Sequence, residues 1–263
     1  MTRSTNTSTA KNPVCDTSGY AIFSAGDVGT AHRMAHEMLD SHDYETGYQL
    51  LGEWLRNHAE GAGSTSQWVH IQWHMMVFEL AVGQWDAARA RYEEYVLPAA
   101  IDTREALVDA PAGLWRLALA SEQPVDLPWN EIQPAAREAL ESSKGTYATL
   151  HSIMALAGAG DVTGIDAWLN ERKTVDDADE TFMALVRGFR AFAAGDYTEA
   201  EIELASALPN LSEVGGSRAQ NELFERAHRE AAARARFNGS VNEKIRSVVL
   251  STQQHTHLST PAF

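Results

Sequence analysis

HIQWHMMVFELAVGQWDAARARYEEYV, residues 70–96, reads as two α-helices joined by a tight turn. Its apolar residues recur at helical spacing and do not alternate as a strand would require. Gly83 supplies the left-handed conformation that ends the first helix, and Ala87 and Ala88 early in the second let the two helices approach closely. The same punctuation recurs as HDYETG at 42–47, AGDVTG at 159–164 and AGDYTEA at 194–200. Tyr44 and Trp85 stand 41 residues apart, Val162 and Tyr197 stand 35 apart, and both separations fall loosely around the tetratricopeptide period of about 34.

The expectation is an all-α chain, a tetratricopeptide-like array of antiparallel helix pairs over residues 28–237. The segments 59–67 and 98–106 interrupt the period and are expected as loops. Pro98, Pro111, Pro124, Pro128 and Pro134 are expected to break helices in the middle of the chain. Residues 1–27, rich in Ser, Thr, Asn and Gly, read as a flexible leader, and 238–263 as a tail with one short helix at VNEKIRSVVL.

Composition narrows the function. Apolar residues make up 44% and charged residues 22%, the profile of a chain that buries a core. The formal charge of −15 repels phosphate backbones and anionic lipid surfaces, so no nucleic acid partner is expected. Neither a signal-peptide core nor an apolar run near 18 residues is found, and the lone Cys15 suits a reducing compartment. The expected setting is therefore the cytoplasm, away from membranes.

The segments AHRMAHEM, HIQWHMMVFELAVGQWDAARARYEEYV, ALVDAPAGLWRLAL, LHSIMALAGAGD and VGGSRAQ, in that order, resemble the signature segments of the tetratricopeptide repeat protein 38-like family across residues 28–235. The resemblance implies stacked helix pairs and places this chain alongside the C-terminal part of the family's longer members. It departs from them at Glu79, where histidine is frequent, at Asp109-Ala110-Pro111, and at Arg218 and Asn221 beside the GGS motif. It implies no defined activity.

Five of the ten histidines carry the functional reading. His32 and His36 are four residues apart on one helix, and His70 and His74 repeat that spacing on the first helix of the next pair, so each pair shares one face. His151 opens a further first helix, and in tetratricopeptide-like stacks first helices line the concave groove. Imidazoles gathered there can ligate a divalent metal or perform acid–base catalysis. Two His-x-x-x-His helices supply four nitrogens, although neither carries the glutamate of a zinc hydrolase. The competing view of each histidine is a packed residue bonded to a neighbouring carbonyl or carboxylate.

Around them, Trp73 and Trp115, with Trp68, are candidates for an aromatic wall, and burial in the core is the competing role. Asp109 is read first as a helix N-cap and second as a group that orients a histidine. Gly215, Gly216 and Ser217 open a helix that carries Gln220, where backbone donors suit an anion unless Ser217 is simply the cap. The acidic run at 175–180 is expected as a solvated loop. With no Walker loop, dinucleotide fingerprint, nucleophile elbow or Cys-x-x-Cys, no nucleotide cofactor is expected. The sequence thus points to an enzyme or small-molecule binder, with a scaffold that holds a peptide or protein partner as the alternative. It leaves a homo-oligomer open.

Overall fold

The computed structural model describes residues 26–58, 63, 65–104, 106–142, 146–172 and 179–257, with residues 172 and 239–257 as backbone alone. Among these, every regular element is helical and there is no strand. The expected leader and the run 173–178 lie outside the described residues, apart from the turn at 26–27 that enters the first helix.

The chain begins with α1 (Val28–Asp40) and α2 (Tyr44–Asn57), then α3 (Thr65–Ala81) and α4 (Trp85–Arg91). A π-helical stretch, Tyr92–Val96, runs on into α5 (Leu97–Asp102), and α6 (Asp109–Ala120) follows. Next come α7 (Trp129–Ser142), α8 (Thr146–Gly158), α9 (Val162–Arg172), α10 (Glu180–Ala193) and α11 (Tyr197–Ala207). A 3₁₀ turn, Leu208–Glu213, leads to the long α12 (Arg218–His257).

The recurring turn has one physical form. Gly83, Gly160 and Gly195 adopt φ of 80°, 71° and 75°, and a Cβ at any of them would meet open space, so backbone strain is what selects glycine there. After Gly160 and Gly195 an aspartate caps the next helix, Asp161 accepting from the Gly164 amide and Asp196 from the Glu199 amide; Asp43, accepting from the Thr46 amide, follows His42 at φ 59°, and Gln84 after Gly83 makes no side-chain cap. Asp27 and Asp179 cap α1 and α10 in the same way, so the end of the acidic run is a helix start.

Two helices form the interior. α3 is buried on nearly all sides from Trp68 to Glu79, and α8 from Thr149 to Ala157, as expected of helices without a polar face. α3 packs on α1, α2, α4 and α6, while α8 packs on α6, α7 and α10. α12 closes the array against α11, α6 and α1. Buried Glu79 takes two bonds from Arg91, which also donates to Gln72, so its carboxylate is neutralised inside the α3–α4 pair.

Several expectations change. The segment 98–106 is helical through Asp102: the π-helical stretch passes directly into α5 with Val96 and Leu97 in helical conformation, and Pro98 is accommodated just after that local widening. Pro111 is within the first turn of α6, and Pro134 sits inside α7 without ending it. The segment 59–67 contains the start of α3 at Thr65, and residues 59–62 and 64 lie outside the described residues. The helix expected only at VNEKIRSVVL belongs to α12, whose backbone continues unbroken through 238 to His257. No helix among the described residues is long and apolar enough to cross a membrane.

Candidate metal centre

The motif AHRMAHEM sets the site on α1. Ala31 and Ala35 are completely buried, and these small residues let α1 lie close on α3. The next residue in each case, His32 and His36, is thereby aimed at the α1–α3 seam, where His70 and His74 arrive one helical turn apart from the other side. The ring centroids of His32 lie 4.5 Å from His36, 5.0 Å from His70 and 5.3 Å from His74. Those of His36 and His74 are 4.7 Å apart, and those of His70 and His74 4.5 Å. One ring nitrogen from each of the four falls within 4.8 Å of all the others.

These separations suit coordination. Metal–imidazole bonds of about 2.0–2.1 Å imply tetrahedral N···N edges of roughly 3.3 Å. The Nε2 atoms of His32 and His36 are already 3.0 Å apart, so the remaining closure is a matter of side-chain rotation.

The groups around the rings decide their state. Asp109, buried at the start of α6, accepts a hydrogen bond from His70 Nδ1 at 2.8 Å and leaves Nε2 as the lone-pair nitrogen. Burial pulls the His70 pKa down, but the hydrogen bond and the charge of Asp109 outweigh it, and the net shift is upward. The other three shift downward. Burial and the charges of His70 and His36 hold His32 at about 4, and burial with His70 lowers His36. His74 is depressed most, by complete burial and then by its three histidine neighbours. Both its ring nitrogens are buried without a hydrogen-bond partner. At neutral pH these three rings are uncharged, the state that can donate a lone pair.

His32 and His70 face a cavity of about 390 Å³. Val28, Ile71 and Val108 give it an apolar wall, while Ser66, Gln67 and Gln220 give it polar edges; Asp109 also borders it. Trp73 lies behind, stacked on His70 with centroids 5.6 Å apart and edge-on to His74 at 5.2 Å.

No family model matches this chain, and no solved structure matches it. The reading of the site therefore rests on its own geometry.

The remaining candidates separate cleanly. His151 is not in the cluster: its Nδ1 is 2.8 Å from the Tyr147 carbonyl, its ring packs on Tyr147, and burial holds it at about 4. It is a core histidine satisfied by its own helix. Trp115 is not a wall of the cavity either, because its indole N–H donates to the Met154 carbonyl and its ring packs among Trp129, Phe189 and Phe192. Ser217 and Gln220 form a reciprocal capping box, Ser217 Oγ accepting from the Gln220 amide and Gln220 Oε1 accepting from the Ser217 amide. Only Gln220 of that pair borders the cavity. Asp109 takes the second of its expected roles: Val108 stands at the N-cap position and the Asp109 carboxylate turns to His70.

One residue escapes a reading by motif. Arg116 is 2% exposed, donates to the Ala219 carbonyl, leaves Nε unpaired, and sits 5.6 Å over the Trp73 ring. Burial lowers its pKa to about 10. The signal was a lone cation inside the apolar run GLWRLAL.

Proposed function

We propose that this protein binds a divalent first-row transition metal through His32, His36, His70 and His74 and presents it to a small molecule in the adjoining cavity. The observation that carries this is His74: a fully buried imidazole with both nitrogens unpartnered, ringed by three more histidines. Leaving such a group unsatisfied costs about 1–3 kcal/mol, a penalty that packing alone does not motivate and that a metal bond relieves at one of the two nitrogens. An all-imidazole set favours zinc, copper, nickel or iron over magnesium and calcium, which take oxygen ligands. Asp109 completes the carboxylate–histidine–metal arrangement that fixes the ring of His70. Four imidazoles fill a tetrahedral ion, so a bound metal would polarise a molecule entering past His32 and His70 only by taking it as a fifth ligand, an expansion that catalytic metal sites use.

The recurrent glycine turns at residues 83, 160 and 195 support a tetratricopeptide-like repeat as the scaffold. The ordered segments from AHRMAHEM to VGGSRAQ support kinship with the tetratricopeptide repeat protein 38-like family. In this reading α1 and α3 act as neighbouring repeat helices whose facing residues build the centre.

The test is elemental analysis of the purified protein together with titration by zinc and cobalt(II). One equivalent of metal per chain is expected, with cobalt acquiring the absorption of a nitrogen-ligated ion. The double variant His32→Gln/His74→Gln should fold and lose that equivalent. Uptake that is substoichiometric in the wild type, or unchanged in the double variant, counts against the proposal.

A further inference from the structure

Resting on that metal reading, the charge around the centre identifies the class of molecule the cavity takes. Four neutral imidazoles leave the +2 charge of a bound ion uncompensated. Near the rings, Asp109 contributes one negative charge and the buried Arg116 guanidinium one positive charge, and these offset each other. Among the described residues Arg116 forms no ion pair; Glu222, the acid that most favours its charge, is bonded to Arg226. At the solvent edge, Arg33 beside His32 and Asp40 beside His36 are exposed and opposite in sign. The loaded centre therefore carries close to two uncompensated positive charges in a partly desolvated setting, where an unpaired charge is costly.

Of the four histidines, His32 and His70 border the cavity, so a compensating anion enters there. Val28, Ile71 and Val108 give the cavity apolar lining, which suits an alkyl body. We infer that the cavity takes a short-chain organic carboxylate, its oxygen on the metal and its alkyl chain against Val28, Ile71 and Val108. The chain's formal charge of −15 does not prevent this. Surface charge is screened over about 8 Å at physiological salt, whereas the metal acts on the ligand by direct contact.

The experiment titrates the cobalt(II)-loaded full chain with acetate, butyrate and the uncharged isostere butyramide, read by the visible absorption of cobalt and by calorimetry. Butyrate is expected to perturb the spectrum and bind at least tenfold tighter than butyramide. It should also bind tighter than acetate by about fourfold per methylene, the gain from apolar burial. The chelated protein should lose butyrate binding. Arg116→Met should weaken butyrate by about tenfold by removing one nearby positive charge, and butyramide should hardly change. Should that variant not fold, Val108→Asn tests the alkyl wall instead and should erase the preference for butyrate over acetate. Butyramide that binds as well as butyrate, or butyrate that binds equally without metal, overturns the inference while leaving the metal site intact. A protein that takes up no cobalt overturns both.

Discussion

Asp109 Oδ2 lies 2.8 Å from His70 Nδ1 and joins α6 to α3 across 39 residues of sequence. It is the one carboxylate in contact with the four-histidine cluster among the described residues, and it fixes which nitrogen of His70 faces the other three. Asp109→Asn keeps the shape but loses the charge. It is expected to lower metal affinity by about 10- to 100-fold, the usual effect of removing such a partner. The same change should lower the His70 pKa, because the downward pull of burial would act unopposed. Competition with a chromophoric chelator measures the first effect and histidine NMR titration the second; an unchanged affinity would leave Asp109 a mere structural anchor.

Trp115→Phe provides the contrasting case. The indole bonds to the Met154 carbonyl among aromatic neighbours, on the far side of α6 from the cluster. Loss of that bond should lower stability by about 1–2 kcal/mol and leave metal affinity as it was. Denaturant unfolding and chelator competition on one preparation separate the two; a large drop in affinity would place Trp115 back in the site.

Much of this arrangement was legible before any coordinates, and the reason is periodicity. A spacing of four on a helix fixes a shared face, so the pairing of His32 with His36 and of His70 with His74 follows from the chain alone. That the two pairs meet was expected only from the stacking of first helices; the buried Ala31 and Ala35, which lie at the α1–α3 contact, were not read as its signal. His151 misled because it holds a similar place on its helix, yet α8 lies across α6 from α3 and its ring is consumed by a carbonyl of its own turn. Asp109 was named as the alternative orienter of a histidine, but that it meets His70, and that Arg116 lies over Trp73, depend on tertiary contacts far apart in sequence, which no local pattern encodes. The helical path of residues 97–102 was obscured by Pro98, which reads as a helix breaker but follows directly on the π-helical stretch that carries the helix through it.

Acid should destabilise the chelated protein. His32, His36, His74 and His151 have folded pKa values below the ordinary 6.5, with two of them near 4. In each case the unfolded chain binds protons first, so the stability present above pH 6.5 is lost as the pH falls toward 4. His70 acts in the opposite sense: its raised pKa contributes stability below 6.5 that is lost as the pH rises through its folded value. Four groups against one make the net slope positive between pH 4 and 6.5. Thermal midpoints in that window, at constant ionic strength, should rise with pH; a flat profile would contradict the burial assigned to His74 and His151.

Close helix contact at Gly158 gives a test of the scaffold alone. A Cβ there would meet the Trp129 ring at 2.3 Å, with two further ring atoms within 2.5 Å, so the indole would have to shift. Gly158→Ala is therefore expected to destabilise by about 1–3 kcal/mol through overpacking. Gly83→Ala meets open space, so its cost of about 1 kcal/mol should come only from the left-handed backbone. Urea midpoints with unchanged slopes would report both; equal costs at the two positions would mean that α7 and α8 are not packed as closely as the ring contact requires.

His74 offers the sharpest separation of stability from function. In the metal-free protein its two unpaired nitrogens are a liability, and leucine replaces the ring at similar volume without any polar atom. His74→Leu is expected to stabilise the metal-free protein by about 1–3 kcal/mol, the penalty of a buried unsatisfied group. It should at the same time abolish the stabilisation that metal confers on the wild type, which reaches about 2.7 kcal/mol when free metal is one hundred times its dissociation constant. The two effects are opposite in sign and are read from the same pair of melts, with and without zinc. A histidine kept only for packing would show neither: its loss would weaken the core, and zinc would act equally on both proteins. A variant that is more stable than the wild type when chelated, yet indifferent to zinc, would mean that the imidazole is retained at the expense of stability, as binding residues commonly are.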